Sequence, residues 1–125
     1  MSDIEAIVQA YGAAWADVGE SERRRLLDFA WSERGIYQDP TVEIVGRDAL
    51  EAHIAEFQKR SPDSKIALTS RAQYHHGRVH FTWAVIRADG TTTLEGRDFG
   101  ELDSEGRLCR IVGFFGPPPP LMASK

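Results

Sequence analysis

The hydrophobic pattern of this chain changes period once, near Lys65, and that change constrains the fold more than any other feature. Before it, apolar residues recur at helical spacing. Ser2 with Glu5 reads as a capping box, followed by Ile4, Val8, Tyr11, Trp15 and Val18 on one stripe. Ser21 is placed to cap a second helix that buries Leu26, Leu27, Ala30 and Trp31, with Gly35 as its stop. "IYQDPTVEIVG" reads as one or two short strands. A third helix is predicted from about Asp48, with Leu50, His53, Ile54 and Phe57 on one face, ended by "SPDS".

After Lys65 the alternation has period 2, divided by turns at His76-Gly77, Asp89-Gly90 and Ser104-Glu105-Gly106. The first two are the two-residue hairpin type, in which Gly supplies a positive φ. Four antiparallel strands follow, roughly 65–75, 78–87, 91–102 and 107–115. Helices first and a curved antiparallel sheet afterwards make an α+β domain, with a ligand pocket expected between the layers. Residues 1–116 read as one domain, and 117–125 as a Pro-rich tail that cannot extend a ladder.

Composition narrows the function classes. At 125 residues and 42% hydrophobic content the chain can bury a core without disulfides or metal. A net charge of −4 argues against nucleic acid, and the Arg23-Arg24-Arg25 run reads as a solvated helix face. One cysteine, Cys109, fits a reducing compartment and lacks a base partner for nucleophilic work. No signal peptide is visible, and no apolar run approaches the ~20 residues of a membrane span, so a cytoplasmic, membrane-free protein is expected. His75 and His76 are adjacent, with no third ligand at metal spacing. No Gly-rich phosphate loop follows a strand, so neither metal nor cofactor is expected.

Two acids stand out. A two-residue Asp89-Gly90 loop would set Val85 opposite Leu94, Trp83 opposite Gly96 and Phe81 opposite Asp98. Asp98 then shares the apolar, helix-covered face with Phe81, Trp83, Val85 and Leu94, and the first hairpin extends that face to Tyr74, Ala72 and Leu68. A buried carboxyl must be paired or protonated. Arg110 is a possible partner, and Gly96 leaves room for a ring or a ligand. Asp39 interrupts a strand just before Pro40, where it is either a turn former or a reactive carboxylate. Tyr37 shares its parity and would point the same way.

The ordered set "YGAAWADVGE", "IYQDP", "VGRDALEAHI" and "GRDFGELDSEGRLCRIVGFFG" resembles the NTF2-like superfamily, in its SnoaL-like and ketosteroid-isomerase-like branch. That resemblance spans nearly the whole chain. It implies a cone-shaped α+β barrel with three N-terminal helices, a deep apolar pocket and commonly a homodimer through the outer sheet face. It also implies acid–base proton transfer on a small apolar organic molecule, as isomerisation, cyclisation or dehydration. Asp39 falls on the general base and Asp98 on the neutral carboxyl that donates to an enolate oxygen. Tyr11 is the available oxyanion tyrosine, with Trp15 as the rival for the inward position. His53 stands where the third helix usually offers an apolar side chain, and with a carboxylate it would form a His–Asp acid–base pair. Trp15, Trp31, Tyr37, Phe57, Tyr74, Phe81, Trp83, Leu94, Ile111 and Phe115 are the expected substrate-binding wall. Two other functions fit the fold: a non-catalytic module that binds a hydrophobic ligand or dimerises, and an epoxide hydrolase with two Asp and an Arg activating water. For the latter, Arg97 is on the wrong face and Arg110 is the remaining candidate.

Overall fold

The computed structural model describes residues 3–122. Three helices, α1 (Ile4–Ala14), α2 (Glu20–Ala30) and α3 (Arg47–Arg60), pack on a seven-stranded sheet. Its strands are β1 (Trp31–Asp39), β2 (Val42–Val45), β3 (Ser64–Leu68), β4 (Gln73–His75), β5 (Arg78–Arg87), β6 (Thr92–Leu102) and β7 (Leu108–Phe115).

Asp3 caps α1 by accepting from the Ala6 amide, and Ile7, Val8, Tyr11 and Ala14 form its buried side. The expected cap Ser2 lies outside the described residues. The helix ends at Ala14, so Trp15 is its C-cap and Val18 falls beyond it. Gly19, not Ser21, precedes α2, whose first turn carries Glu20 and Glu22 at the positive end of the helix dipole. Arg23 is buried rather than solvated. Its Nε donates to the Ala14 carbonyl and its Nη2 to that of Val18, while Nη1 lies 3.6 Å from Glu51 of α3. One guanidinium thus satisfies the open end of α1 and ties all three helices together.

Gly35 does not end α2. The helix stops at Ala30, and Trp31 opens β1. Gly35 is needed under the Trp31 ring, because a Cβ there would sit 2.5 Å from the indole Nε1. Gly46 enters α3 at φ +101°, a conformation that favours glycine.

The sheet order is β2-β1-β7-β6-β5-β3, with β4 also on β5. It is mixed rather than antiparallel, because β1 and β7 run parallel. Within the described residues the two outer strands do not pair, so the curved sheet is an open cone and not a closed barrel. The His76-Gly77 hairpin has its expected two-residue loop, with His75 opposite Arg78 and both loop residues at positive φ. At the second hairpin the loop takes three residues, since Arg87 bonds across to Thr91. A bulge between Ile86–Thr92 and Val85–Leu94 then restores the expected register. Val85–Leu94, Trp83–Gly96 and Phe81–Asp98 are opposed as the alternation required. The core lies between the three helices and the sheet, around Val8, Leu27, Trp31, Leu50, Ile54, Phe81, Leu108 and Ile111. No helix among the described residues is long and apolar enough to cross a membrane.

Candidate active site

A cavity of about 180 Å³ opens between α1, α3 and the concave face of the sheet. Its closed end is made by buried Tyr11, Trp15, Phe81, Trp83 and Asp98, and its mouth by exposed Thr41 and Arg60 with half-exposed Asp39 and His53. Tyr37, Phe57, Leu94 and Phe115 complete the wall as expected from sequence, joined by Gly12, Ile66, Leu68 and Val85. Tyr11 and Trp15 both face inward, because α1 gives up its last turn at Trp15.

Three expected wall residues lie elsewhere. Trp31 is fully buried behind Tyr11, with ring centroids 5.6 Å apart, because it begins a strand instead of facing the cavity from a helix. Ile111 is a core residue, also fully buried, and does not line the cavity. Tyr74 shares the concave face but is 51% exposed: β3 breaks off at Leu68, and β4 resumes opposite the far end of β5, beyond helix cover. His75 and His76 turn their rings toward each other, outside the cavity. His76 adopts φ +51°, which brings the two Nδ1 atoms to 3.1 Å.

The two acids sit on one wall, on β1 and β6, with β7 between them. Asp98 is opposite Gly113 of β7, and β1 runs on the other side of β7 with Gln38 beside Val112. A Cβ on Gly113 would lie 2.9 Å from Asp98 Oδ1 and 3.6 Å from Asp39 Cβ. Glycine is therefore the spacer that lets both carboxyls face one space, with Cα atoms two strand spacings, roughly 10 Å, apart.

Their environments are opposite. Asp39 is saturated with donors. Its Oδ1 accepts from the Thr41 amide at 2.7 Å, the Thr41 hydroxyl at 2.7 Å and the Val42 amide at 3.2 Å. Its Oδ2 accepts from the Tyr37 hydroxyl at 2.7 Å. Burial alone would raise its pKa, but these bonds outweigh burial and hold it below the usual carboxylate value. Asp39 is both a turn former and a lining carboxylate. Asp98 has a single donor among the described residues, the Trp83 indole at 3.0 Å. Burial pushes its pKa up to about 7, the Trp83 bond opposes this, and the charge of Asp39 adds to the rise. Arg110 does not reach it, turning instead to Gln38 and Glu101.

The other titratable wall groups follow the same physics. Burial, and then the charge of Asp98, raises the Tyr11 phenol well above its ordinary value. Burial also raises Tyr37. Burial lowers His53; Asp39 partly offsets that and Arg60 adds to it, so the imidazole is neutral at pH 7. His53 packs against Trp15 and Tyr37, with centroids 5.9 and 5.8 Å away. Arg97 leaves the cavity for the Gly116 carbonyl and the Phe114 ring. Neither arginine weighed for a water-activating triad is in the site.

Sequence reading missed Arg60 and Thr41. Arg60 was legible in principle, since His53, Phe57 and Arg60 stand at i, i+4 and i+7 on α3 and all three line the cavity.

Three helices on a curved sheet with an apolar, two-carboxyl cavity between them define an NTF2-like α+β cone. The comparisons agree. A solved isomerase candidate of the SnoaL-like family from Agrobacterium tumefaciens is 32% identical, covers 89% of this chain and 95% of its own, and superposes with a TM-score of 0.83. An NTF2-like protein of unknown function from Exiguobacterium sp. 255-15 follows at 17% identity, with 90% and 99% coverage and a TM-score of 0.71. A SnoaL-like polyketide cyclase candidate from Jannaschia sp. CCS1 shares the fold at 12% identity, with 92% and 89% coverage and a TM-score of 0.65. No protein-family model matches the chain, and no curated protein matches it. The chain belongs to the SnoaL-like family of NTF2-like proteins.

Proposed function

We propose that this protein is a cofactor-independent enzyme that moves a proton next to a carbonyl group in a small, mostly apolar substrate. The observation that carries this reading is the split between two carboxyls of one wall, Asp39 held ionised and Asp98 held neutral up to about pH 7. Acids displaced in opposite directions within one cavity divide into donor and acceptor roles. The isomerase and cyclase names carried by SnoaL-like neighbours point the same way.

In this reading the substrate carbonyl oxygen lies at the closed end, where Asp98 and Tyr11 each offer an O–H. A proton leaves the adjacent carbon, and its electron pair moves to that oxygen as an enolate. The two O–H donors stabilise the enolate in a site that excludes water. Asp39 is a weak acceptor, because both its oxygens already receive hydrogen bonds. His53, neutral and on the same side of the cavity, is the better acceptor, with Asp39 stabilising the imidazolium that forms. Returning the proton to a different carbon completes an isomerisation.

The enclosed volume matters for substrate size. An engineered cavity of about 150 Å³ accommodates benzene, so this one encloses about one ring. A suitable probe is 3-cyclohexen-1-one, a single-ring ketone whose conjugation can be followed by ultraviolet absorbance. Faster conversion than buffer, lost in an Asp98→Ala, His53→Gln double variant, supports the reading. Equal rates for wild type and double variant would remove it, and ring binding without turnover would make this a ligand-binding module.

The association we propose is a homodimer through the convex sheet face, where Phe99 and Phe114 are 46% and 45% exposed and uncovered by helices.

A further inference from the structure

We propose that the substrate carries an anionic group, of carboxylate type, and that Arg60 holds this group at the cavity mouth while the ring enters. The inference rests on the cavity being the reaction site and adds the chemical class of the molecule.

Among the described residues, Arg60 is the only Lys or Arg that lines the cavity. It closes the His53–Phe57–Arg60 stripe of α3, so its side chain leaves the helix on the cavity side. Among the described residues it has neither an ion pair nor a hydrogen bond, unlike Arg23, Arg24, Arg25, Arg47, Arg107 and Arg110. A cation in the last turn complements the helix dipole, but Lys59 already does that from the same turn. A planar guanidinium at the polar mouth of an apolar cavity is the group that pairs a carboxylate through two parallel hydrogen bonds. The apolar wall behind it takes about one ring.

The competing field is that of the two acids. Asp39 is surrounded by four donors that offset its charge outward, and Asp98 is neutral below about pH 7. An aromatic-lined space with two carboxyls would otherwise suit a protonated amine, so the two occupants give opposite selectivities.

Docking of an anion would also act on the chemistry. Arg60 disfavours the charged form of His53 in the empty site. A carboxylate on Arg60 cancels that field, so substrate binding would make His53 more basic as the ring arrives. The groups that face His53 are Asp39, Arg60, Tyr37 and Trp15.

The test is binding of benzoate, benzamide and benzylamine to the full chain and to Arg60→Gln, by calorimetry at pH 6 and fixed salt. Benzoate should bind wild type about tenfold more tightly than benzamide, and Arg60→Gln should erase that preference while leaving benzamide unchanged. The His53 titration, followed by NMR, should move up with benzoate and stay in place with benzamide. Equal affinity for benzoate and benzamide, preference for benzylamine, a preference that survives Arg60→Gln, or no binding of any of the three overturns the proposal. The proton-transfer reading is judged separately, by the Asp98→Ala, His53→Gln double variant on 3-cyclohexen-1-one, whose uncharged ring makes no ion pair with Arg60.

Discussion

The Trp83 indole N–H donates to Asp98 Oδ1 at 3.0 Å, from the strand beside it. Trp83 is opposite Gly96 and Asp98 is opposite Phe81, so the two are diagonal neighbours on one face of the β5–β6 ladder. Gly96 makes the contact possible. A Cβ there would fall 2.2 Å from the Trp83 ring, which lies flat across the glycine toward the acid. Asp98 therefore has a donor but no cation, and burial leaves it with a proton where Asp39 has none.

Removing the indole donor should push Asp98 further. In Trp83→Phe the ring stays and the N–H goes, so the group that lowers the Asp98 pKa is lost. Carboxyl NMR should show Asp98 titrating near 7 in wild type and higher in the variant, with a stability loss of about 1–3 kcal/mol. A wild-type value at or below the ordinary ~3.9 would end the neutral-donor assignment.

Asp98 also makes stability depend on pH, and the sign is opposite to that of a paired carboxylate. Its pKa is raised on folding. Below pH 4 the folded and unfolded chains both hold the proton, and there is no penalty. Between about pH 4 and 7 the unfolded chain releases it while the folded chain keeps it, so stability falls; above 7 the loss is constant. The full loss is on the order of 4 kcal/mol. Asp98→Asn should therefore gain on wild type as pH rises from 4 to 8, in urea denaturation at each pH. A difference that stays flat across that range would contradict the assignment.

How much of this was legible in the sequence depends on the range of the interaction. The concave-face register was readable because turn chemistry and alternation are local, and Asp98 was found by being the wrong residue for its parity. The extra loop residue at Ala88–Gly90 was not foreseen, yet the bulge at β6 cancels it before Val85. The parallel β1–β7 pairing was not readable, since partners such as Trp31 and Leu108 are brought together by the fold with no turn between them to fix a register. Trp31 was misassigned for a related reason: α2 passes into β1 without a breaker, and both periods place it inward. Arg23 was misread because a charged run usually faces water, and only the open end of α1 gives it a buried use. The saturation of Asp39 depends on Tyr37 and Thr41 converging in three dimensions.

Glycines on the site wall are spacers, which gives a steric test. Gly113→Ala places a methyl 2.9 Å from Asp98 Oδ1, and strand backbone cannot move far. Asp98 should swing away from Trp83, at a cost of about 1–3 kcal/mol, with altered tryptophan fluorescence. Gly96→Ala should cost at least as much, because the ring it meets is fixed in the wall. Wild-type stability and fluorescence in both would mean that the two glycines do not set the Trp83–Asp98 contact.

The convex face gives a prediction about association. Phe99 and Phe114 meet edge to face at 6.0 Å, with His80 stacked on Phe99 at 4.5 Å. Phe99→Glu should shift light-scattering mass from dimer to monomer at micromolar concentration, because a charge buried across a two-fold contact meets its own copy. Wild type running as a monomer would remove the proposed dimer.

The last prediction separates the two proton acceptors at the mouth. Asp39→Asn keeps the turn, since Asn also accepts from Thr41 and Val42, but it removes the anion that favours protonated His53. If His53 is the acceptor, Asp39→Asn should lower kcat on 3-cyclohexen-1-one only moderately. It should also shift the acidic limb of the pH–rate profile, where protonation of His53 stops the reaction, to lower pH, because His53 loses its stabilising charge. His53→Gln should cost more, about 10²–10⁴-fold in kcat, the usual contribution of a general base. Its profile should lose that limb, while KM for this uncharged ketone stays close to wild type. The opposite ranking, with Asp39→Asn the more damaging and the limb retained in His53→Gln, would return the base to Asp39 despite its four donors. His53 would then be a wall residue packed against Trp15 and Tyr37.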